Sequence, residues 1–140
     1  MDIELYALFN KVFGFTTDKQ LEKNIDDIVK TFKQDIYNYI KLTGGHSFGY
    51  KDFYFYDAAK IIQGTANNSH NYIIGDYYYN GNYVYIIANK YCDEYYLYNG
   101  SIENDFQIND LNNIGTIFNS MYILFDTIIN KKVKERDFYS

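Results

Sequence analysis

Apolar residues recur at helical spacing over residues 2–13, where Leu5, Leu8, Phe9, Val12 and Phe13 share one face and Gly14 follows. Thr17-Asp18-Lys19-Gln20 has the form of a capping box, with Thr17 and Gln20 satisfying the first free amides. The stripe Leu21, Ile25, Ile28, Val29, Phe32, Ile36 and Ile40 then predicts one long helix over roughly 18–42. Its opposite face, with Lys19, Glu22, Lys23, Asp26, Asp27, Lys30 and Lys33, reads as a solvated surface. Gly44-Gly45 ends it, because glycine enters the left-handed C-cap conformation without a Cβ clash.

From residue 50 the period changes from helical to alternating. Residues 50–56 read as a strand with Phe53 and Phe55 on one face and Tyr54 and Tyr56 on the other. Asp57 caps a short helical turn closed by Gly64, and residues 65–70 form a polar loop. The stretch from Asn71 to Tyr98 organises the chain: two runs rich in tyrosine and β-branched residues flank Asn80-Gly81, a strong hairpin signal. With Asn80 and Gly81 at the centre of a type I′ turn, Tyr78 pairs with Tyr83 and Tyr77 with Val84. One face then carries Ile73, Gly75, Tyr77, Val84, Ile86 and Ala88, and suits a core. The other carries Ile74, Asp76, Tyr78, Tyr83, Tyr85 and Ile87. A third strand follows within 91–98, Asn99-Gly100 marks a turn, and 101–108 form a short edge strand or loop. A last helix is expected over about 110–131, striped by Leu111, Ile114, Ile117, Phe118, Met121, Leu124, Phe125 and Ile128. Phe138 and Tyr139 either dock or fray. Helices flanking one antiparallel sheet of four to six strands make the class α+β, as a single domain over 1–140.

Composition adds bounds. The chain has 18 tyrosines, 11 phenylalanines, no tryptophan and no proline, with 22% charged residues and 47% hydrophobic, so it should fold. AT-rich coding accounts for much of the tyrosine count, but not for where tyrosines cluster. One cysteine, Cys92, precludes an internal disulfide and argues against a cysteine-based zinc site. No basic leader and no long apolar run point to a cytoplasmic chain without a membrane partner. The net charge of −5 is uneven. Residues 1–60 hold nine acids and eight bases, residues 61–130 seven acids and one base, and residues 131–140 two acids and four bases. The strand-rich part is therefore acidic, which disfavours direct nucleic-acid binding there and favours a basic protein partner.

Candidate chemistry is sparse. His46, His70 and Cys92 have no spacing that gathers them into a dyad, and Gly44-Gly45 lies at the end of a helix that repels anions. Asp93-Glu94 point to opposite faces of a strand or form a solvated turn. No metal-ligand spacing is present, and no cofactor is implied. The tyrosine face has three readings: a surface covered by another element, a protein-binding surface, or a base-stacking platform, for which the cations are missing.

The order of elements and their punctuation resemble the SUKH superfamily of immunity proteins, which includes the yeast cell-wall-synthesis regulators. The residues that carry the resemblance are Gly44-Gly45 after the long helix, Phe53 to Ile62 as a strand leading into a short helical segment, Ile73-Ile74-Gly75-Asp76, and the final helix from Asp110 to Phe125. The chain lacks the proline at which that family enters its long helix, and Asn109-Asp110-Leu111 replaces small residues before the last helix. The resemblance implies a non-enzymatic immunity protein that binds and neutralises a cognate protein toxin, often a nuclease, by occluding its active site. It carries no binding residue across. On the residues themselves, Asp76, Tyr78, Tyr83 and Tyr85 are the expected contact surface, with Asp93, Glu94 and Tyr96 at its rim. Two other classes fit the same features: a regulatory or scaffolding module, and a phage counter-defence protein whose acidic face mimics nucleic acid. A tyrosine face serves a homodimer equally well.

Overall fold

In a computed structural model, which describes residues 3–15, 19–100 and 114–138, Asn80 and Gly81 take φ of 48° and 82°. That is the type I′ geometry, whose twist matches the strands it joins. It sets β3 (Asn71–Tyr79) against β4 (Asn82–Asn89) with Tyr78 opposite Tyr83 and Tyr77 opposite Val84, the expected register. Around this hairpin, β1 (Phe48–Tyr50), β2 (Phe53–Phe55), β5 (Tyr95–Tyr98) and β6 (Ile114–Phe118) complete one antiparallel sheet in chain order. Helices α1 (Ile3–Phe13), α2 (Lys23–Val29), α3 (Gln34–Thr43), α4 (Ala58–Ala66) and α5 (Met121–Asp126) accompany it, so the class is α+β. A π-helical turn, Thr127–Lys131, continues α5, and after the chain turns at Lys132 a separate 3-10 turn forms at Glu135–Asp137.

The helices lie on one face of the sheet. Helix α4 contacts β3, α5 contacts β5 and β6, α1 contacts α5, and α2 contacts α4. Val84, Ile86, Ala88, Tyr95 and Leu97 of the sheet share this core with Phe9, Ile36, Ile40, Leu124 and Phe125 of the helices. Phe9 is its centre, edge-on to Phe125 at 4.6 Å and to Phe13 at 5.4 Å, while Phe48 stacks on Phe55 at 4.8 Å. Phe138 docks, buried against Tyr77 and Tyr79.

Local signals hold where the structure follows them. Gly44 adopts the left-handed C-cap of α3 at φ 68°, and the Asp57 side chain accepts from the Lys60 amide to cap α4. Helix α4 runs to Ala66, past Gly64. The capping box at Thr17, the edge strand or loop at 101–108 and the part of the expected last helix over 110–113 lie outside the described residues.

Four expectations are corrected. The long helix over 18–42 is two helices. Thr31 Oγ1 donates to the Ile28 carbonyl at 2.6 Å, and the Phe32 amide pairs back to Val29. Lys33 is extended at ψ 143°, its amide donating to the Tyr72 hydroxyl at 2.9 Å while Phe32 meets the Tyr72 ring. Anchoring on β3 outweighs helix propensity at these positions. The strand over 50–56 is instead a tight hairpin of β1 and β2, turned at Lys51 with φ 53°. A bulge at Ile74 shifts the β3 register, so Ile73 faces Ile87 and Tyr72 faces Ala88; the expected alternation holds only from Gly75 to the turn.

Finally, 114–118 are the sixth strand rather than helix. Ile114, Thr116 and Ile117 suit a strand, and Gly115 lies so close to the backbone of Arg136 and Asp137 that a Cβ would sit 2.3 Å from the Arg136 carbonyl. The helix starts only at Met121, where the Ser120 hydroxyl accepts from the Ile123 amide. Met121, Leu124, Phe125 and Ile128 are core residues as expected, whereas Ile117 is exposed.

Candidate protein-binding face

Pairing carries one row of side chains across the sheet face opposite the helices: Tyr54, Asp76, Tyr85, Tyr98 and Ile114. The next row toward the hairpin tip is Tyr78 and Tyr83. The row on the other side is Ile73, Ile87, Tyr96 and Ile117. Exposure is graded over this face. Tyr54, Tyr78 and Tyr83 are 45%, 48% and 54% exposed, Asp76 and Tyr85 are half-buried, and Ile87, Tyr96 and Tyr98 are buried. The buried three form their own small cluster with Tyr85 and Ile114, containing no helix residue. Gly100 lies on the Tyr98 ring, with no room there for a side chain.

The open corner is therefore Tyr54, Asp76, Tyr78, Tyr83 and Tyr85. The rings of Tyr78 and Tyr83 meet edge to face at 5.2 Å. The buried Tyr56 hydroxyl donates to Asp76 Oδ2 at 2.7 Å, fixing the carboxylate in the middle of the patch. Partial burial, with Asp76 and Tyr83 beside it, pushes the Tyr85 phenol above its ordinary range, so it stays a neutral donor. An aromatic patch with a held carboxylate suits contact with a protein surface bearing cations and apolar groups.

The expected rim is not assembled. Tyr96 is 3% exposed and its hydroxyl donates to Asn71 Oδ1 at 3.1 Å, so it is part of the cluster beneath and not of the surface. Asp93 and Glu94 lie in the β4–β5 turn, at the end of β4 away from Asn80-Gly81. Asn89 builds that turn, its side-chain oxygen accepting from the Tyr91 amide at 2.7 Å and the Cys92 amide at 3.3 Å. Glu94 pairs with Asn89, six residues along β4 from Tyr83, which at about 3.3 Å per residue separates these acids from that ring by roughly 20 Å.

Asp93 belongs to a different feature, a cleft of about 360 Å³ between α1, the start of α3 and the start of α5, lined also by Tyr6, Lys33, Asp35 and Asn38. There Lys33 Nζ lies 3.5 Å from both Asp35 and Asp93 and donates to the Cys92 carbonyl at 2.7 Å. The buried Tyr95 hydroxyl donates to Asp35, and burial pushes the Asp35 carboxyl above its ordinary range despite Lys33. This network joins α3 to the β4–β5 turn, and Lys33 already has its oxygen partners.

Sequence reasoning missed Tyr54 as a member of the patch. Its alternation with Phe53 and Phe55 was visible, but only the β2–β3 pairing sets it beside Asp76. Other chemistry does not assemble. Ser69 Oγ lies 2.7 Å from His70 Nδ1, a contact between chain neighbours on an exposed turn, and among the described residues no acid pairs with the imidazole. Among the described residues no group of three or more His, Cys, Asp or Glu could hold a metal ion, and no helix is long and apolar enough to cross a membrane. No protein-family model matches the chain, nor does any curated protein or solved structure.

Proposed function

We propose that this chain is a non-enzymatic protein-binding domain that works as an immunity protein of SUKH type, covering a basic active-site cleft on a protein toxin. The observation that carries the reading is the open corner of the sheet: Tyr54, Tyr78 and Tyr83 exposed together around Asp76. Tyrosine brings a large contact area at little cost in rotamer freedom, and such rings are frequent binding hot spots. The acidic excess of residues 61–130 favours a basic partner. The family part of the reading rests on the Gly44 cap, the β2–α4 segment and Ile73-Ile74-Gly75-Asp76 in that order along the chain. The break in the long helix and the strand at Ile114–Phe118 remove two of the original supports.

The test is capture from native lysate with the tagged protein as bait, the bound partner being identified by mass. A stoichiometric basic protein encoded beside this gene, with toxic activity that this chain suppresses, supports the proposal. Recovery of this chain alone, as a dimer, assigns the tyrosine corner to self-association and overturns it.

A further inference from the structure

The acidic excess of residues 61–130 gives way to four cations within residues 131–136, beside β6. A groove of about 390 Å³ runs beside Thr116–Asn119, with Ile123 and Thr127 on its helical side and Lys131, Lys132, Lys134 and Arg136 around it; among the described residues Asp137 is the one carboxylate that lines it. The cations are exposed, yet the segment that carries them is pinned. Val133 and Phe138 are buried, and Asp137 accepts from the Thr116 hydroxyl at 2.7 Å and from the Lys134 amide at 2.8 Å. Lys132 turns the chain at φ 73°, and Gly115 lets the segment close directly on β6. Lys131 pairs with Asp126 at 3.5 Å, whereas Lys132, Lys134 and Arg136 have no ion pair among the described residues. Two large apolar side chains, Ile117 and Ile123, are exposed on the groove, at 44% and 43%.

We infer that this groove receives an acidic, extended segment of a partner protein, added as a seventh strand along β6. Three features select that occupant. Among the described residues β6 pairs with β5 alone, which makes strand addition along its other side the recognition mode that fits. The cations favour carboxylates over the neutral or basic strands that a free edge otherwise attracts. The exposed isoleucines give seats for alternate apolar side chains, which a phosphate backbone does not use, and among the described residues that line the groove there is no exposed aromatic ring for a base to stack on. The five residues of β6 accommodate a strand of roughly 17 Å at about 3.3 Å per residue. This surface does not depend on the immunity reading, since none of its residues belongs to the tyrosine corner.

The test uses the full chain and three fluorescent probes: an alternating glutamate–valine heptapeptide, its lysine–valine counterpart and a single-stranded oligothymidylate. The glutamate–valine peptide is expected to bind, to weaken with salt and to lose at least tenfold in affinity in the double variant Lys132→Glu with Arg136→Glu. Backbone amide shifts in a labelled sample are expected to concentrate at 114–119. Both substituted residues are exposed, and an unchanged melting profile checks that the variant is folded. Equal binding of the lysine–valine peptide, absence of binding at millimolar peptide, or shifts centred on Tyr78 and Tyr83 overturns the inference. Preferential binding of the oligothymidylate overturns it too, and assigns the groove to nucleic acid.

Discussion

Tyr39 is 1% exposed, and its hydroxyl has no hydrogen-bond partner among the described residues. Its ring lies among those of Phe9 at 6.0 Å, Phe48 at 6.3 Å and Phe125 at 6.0 Å. Burial drives its phenol pKa far above the ordinary value, so the group is neutral throughout the working pH range and the penalty is that of a dry hydroxyl. An unpaired buried hydroxyl costs about 1–3 kcal/mol in lost hydration. Tyr39→Phe removes that cost and keeps the ring, while the deleted oxygen gives up a few contacts of about 0.1–0.2 kcal/mol each. The net expectation is a gain of about 1 kcal/mol, or roughly 4 °C in melting temperature for a chain of this size. Urea unfolding followed by circular dichroism, together with calorimetry, measures both. A loss of stability in Tyr39→Phe would refute the reasoning, because it would mean that the hydroxyl is paired in the folded protein.

Further outcomes follow from the sheet and from the α3 network. Gly75→Ala should destabilise by roughly 1–3 kcal/mol in the same assay, because a Cβ there would sit 2.5 Å from the Tyr54 carbonyl and 3.2 Å from Phe55 Cα, forcing β2 away from β3. Wild-type stability would show that the strands separate freely. The Asp35 carboxyl is raised by burial, so between its ordinary value of 3.8 and its higher folded value the native state holds the proton more tightly than the unfolded chain. Its contribution to stability is therefore largest in acid and declines as pH rises through that window. Asp35→Asn abolishes the decline, and the wild-type-minus-variant difference in unfolding free energy should fall as pH rises; a difference that grows would reverse the assignment. In the groove along β6, charge reversal at Lys132 and Arg136 should weaken the acidic peptide at least tenfold without changing the melting profile.

How much was legible in the sequence depended on the range of the interactions. Asn80-Gly81 fixed the β3–β4 register from within the turn itself, and the Gly44 and Asp57 caps are equally local, so each was readable from a few neighbouring residues. The break after Val29 was not, because it depends on Tyr72, thirty-nine positions beyond Lys33. Ile114, Ile117, Phe118 and Met121 match a helical stripe, and only pairing with β5 makes the first three a strand. The candidate site divided along the same line. Asp76, Tyr78, Tyr83 and Tyr85 share a face by alternation close to the turn, and the structure keeps them together. Tyr96 alternates correctly but is buried, and Asp93 and Glu94 are consigned to the far turn by the length of β4, neither of which a local pattern reports.

The central claim, that the tyrosine corner binds a protein and is not merely part of the fold, is tested most directly by measuring Tyr83→Ala twice: its affinity for the captured partner and its unfolding free energy. The ring is 54% exposed and its aromatic contact is Tyr78, so folding should lose at most about 1.5 kcal/mol. Partner affinity should fall by roughly 2 kcal/mol or more, about thirtyfold in Kd. Unchanged affinity in a variant that still folds would contradict the account.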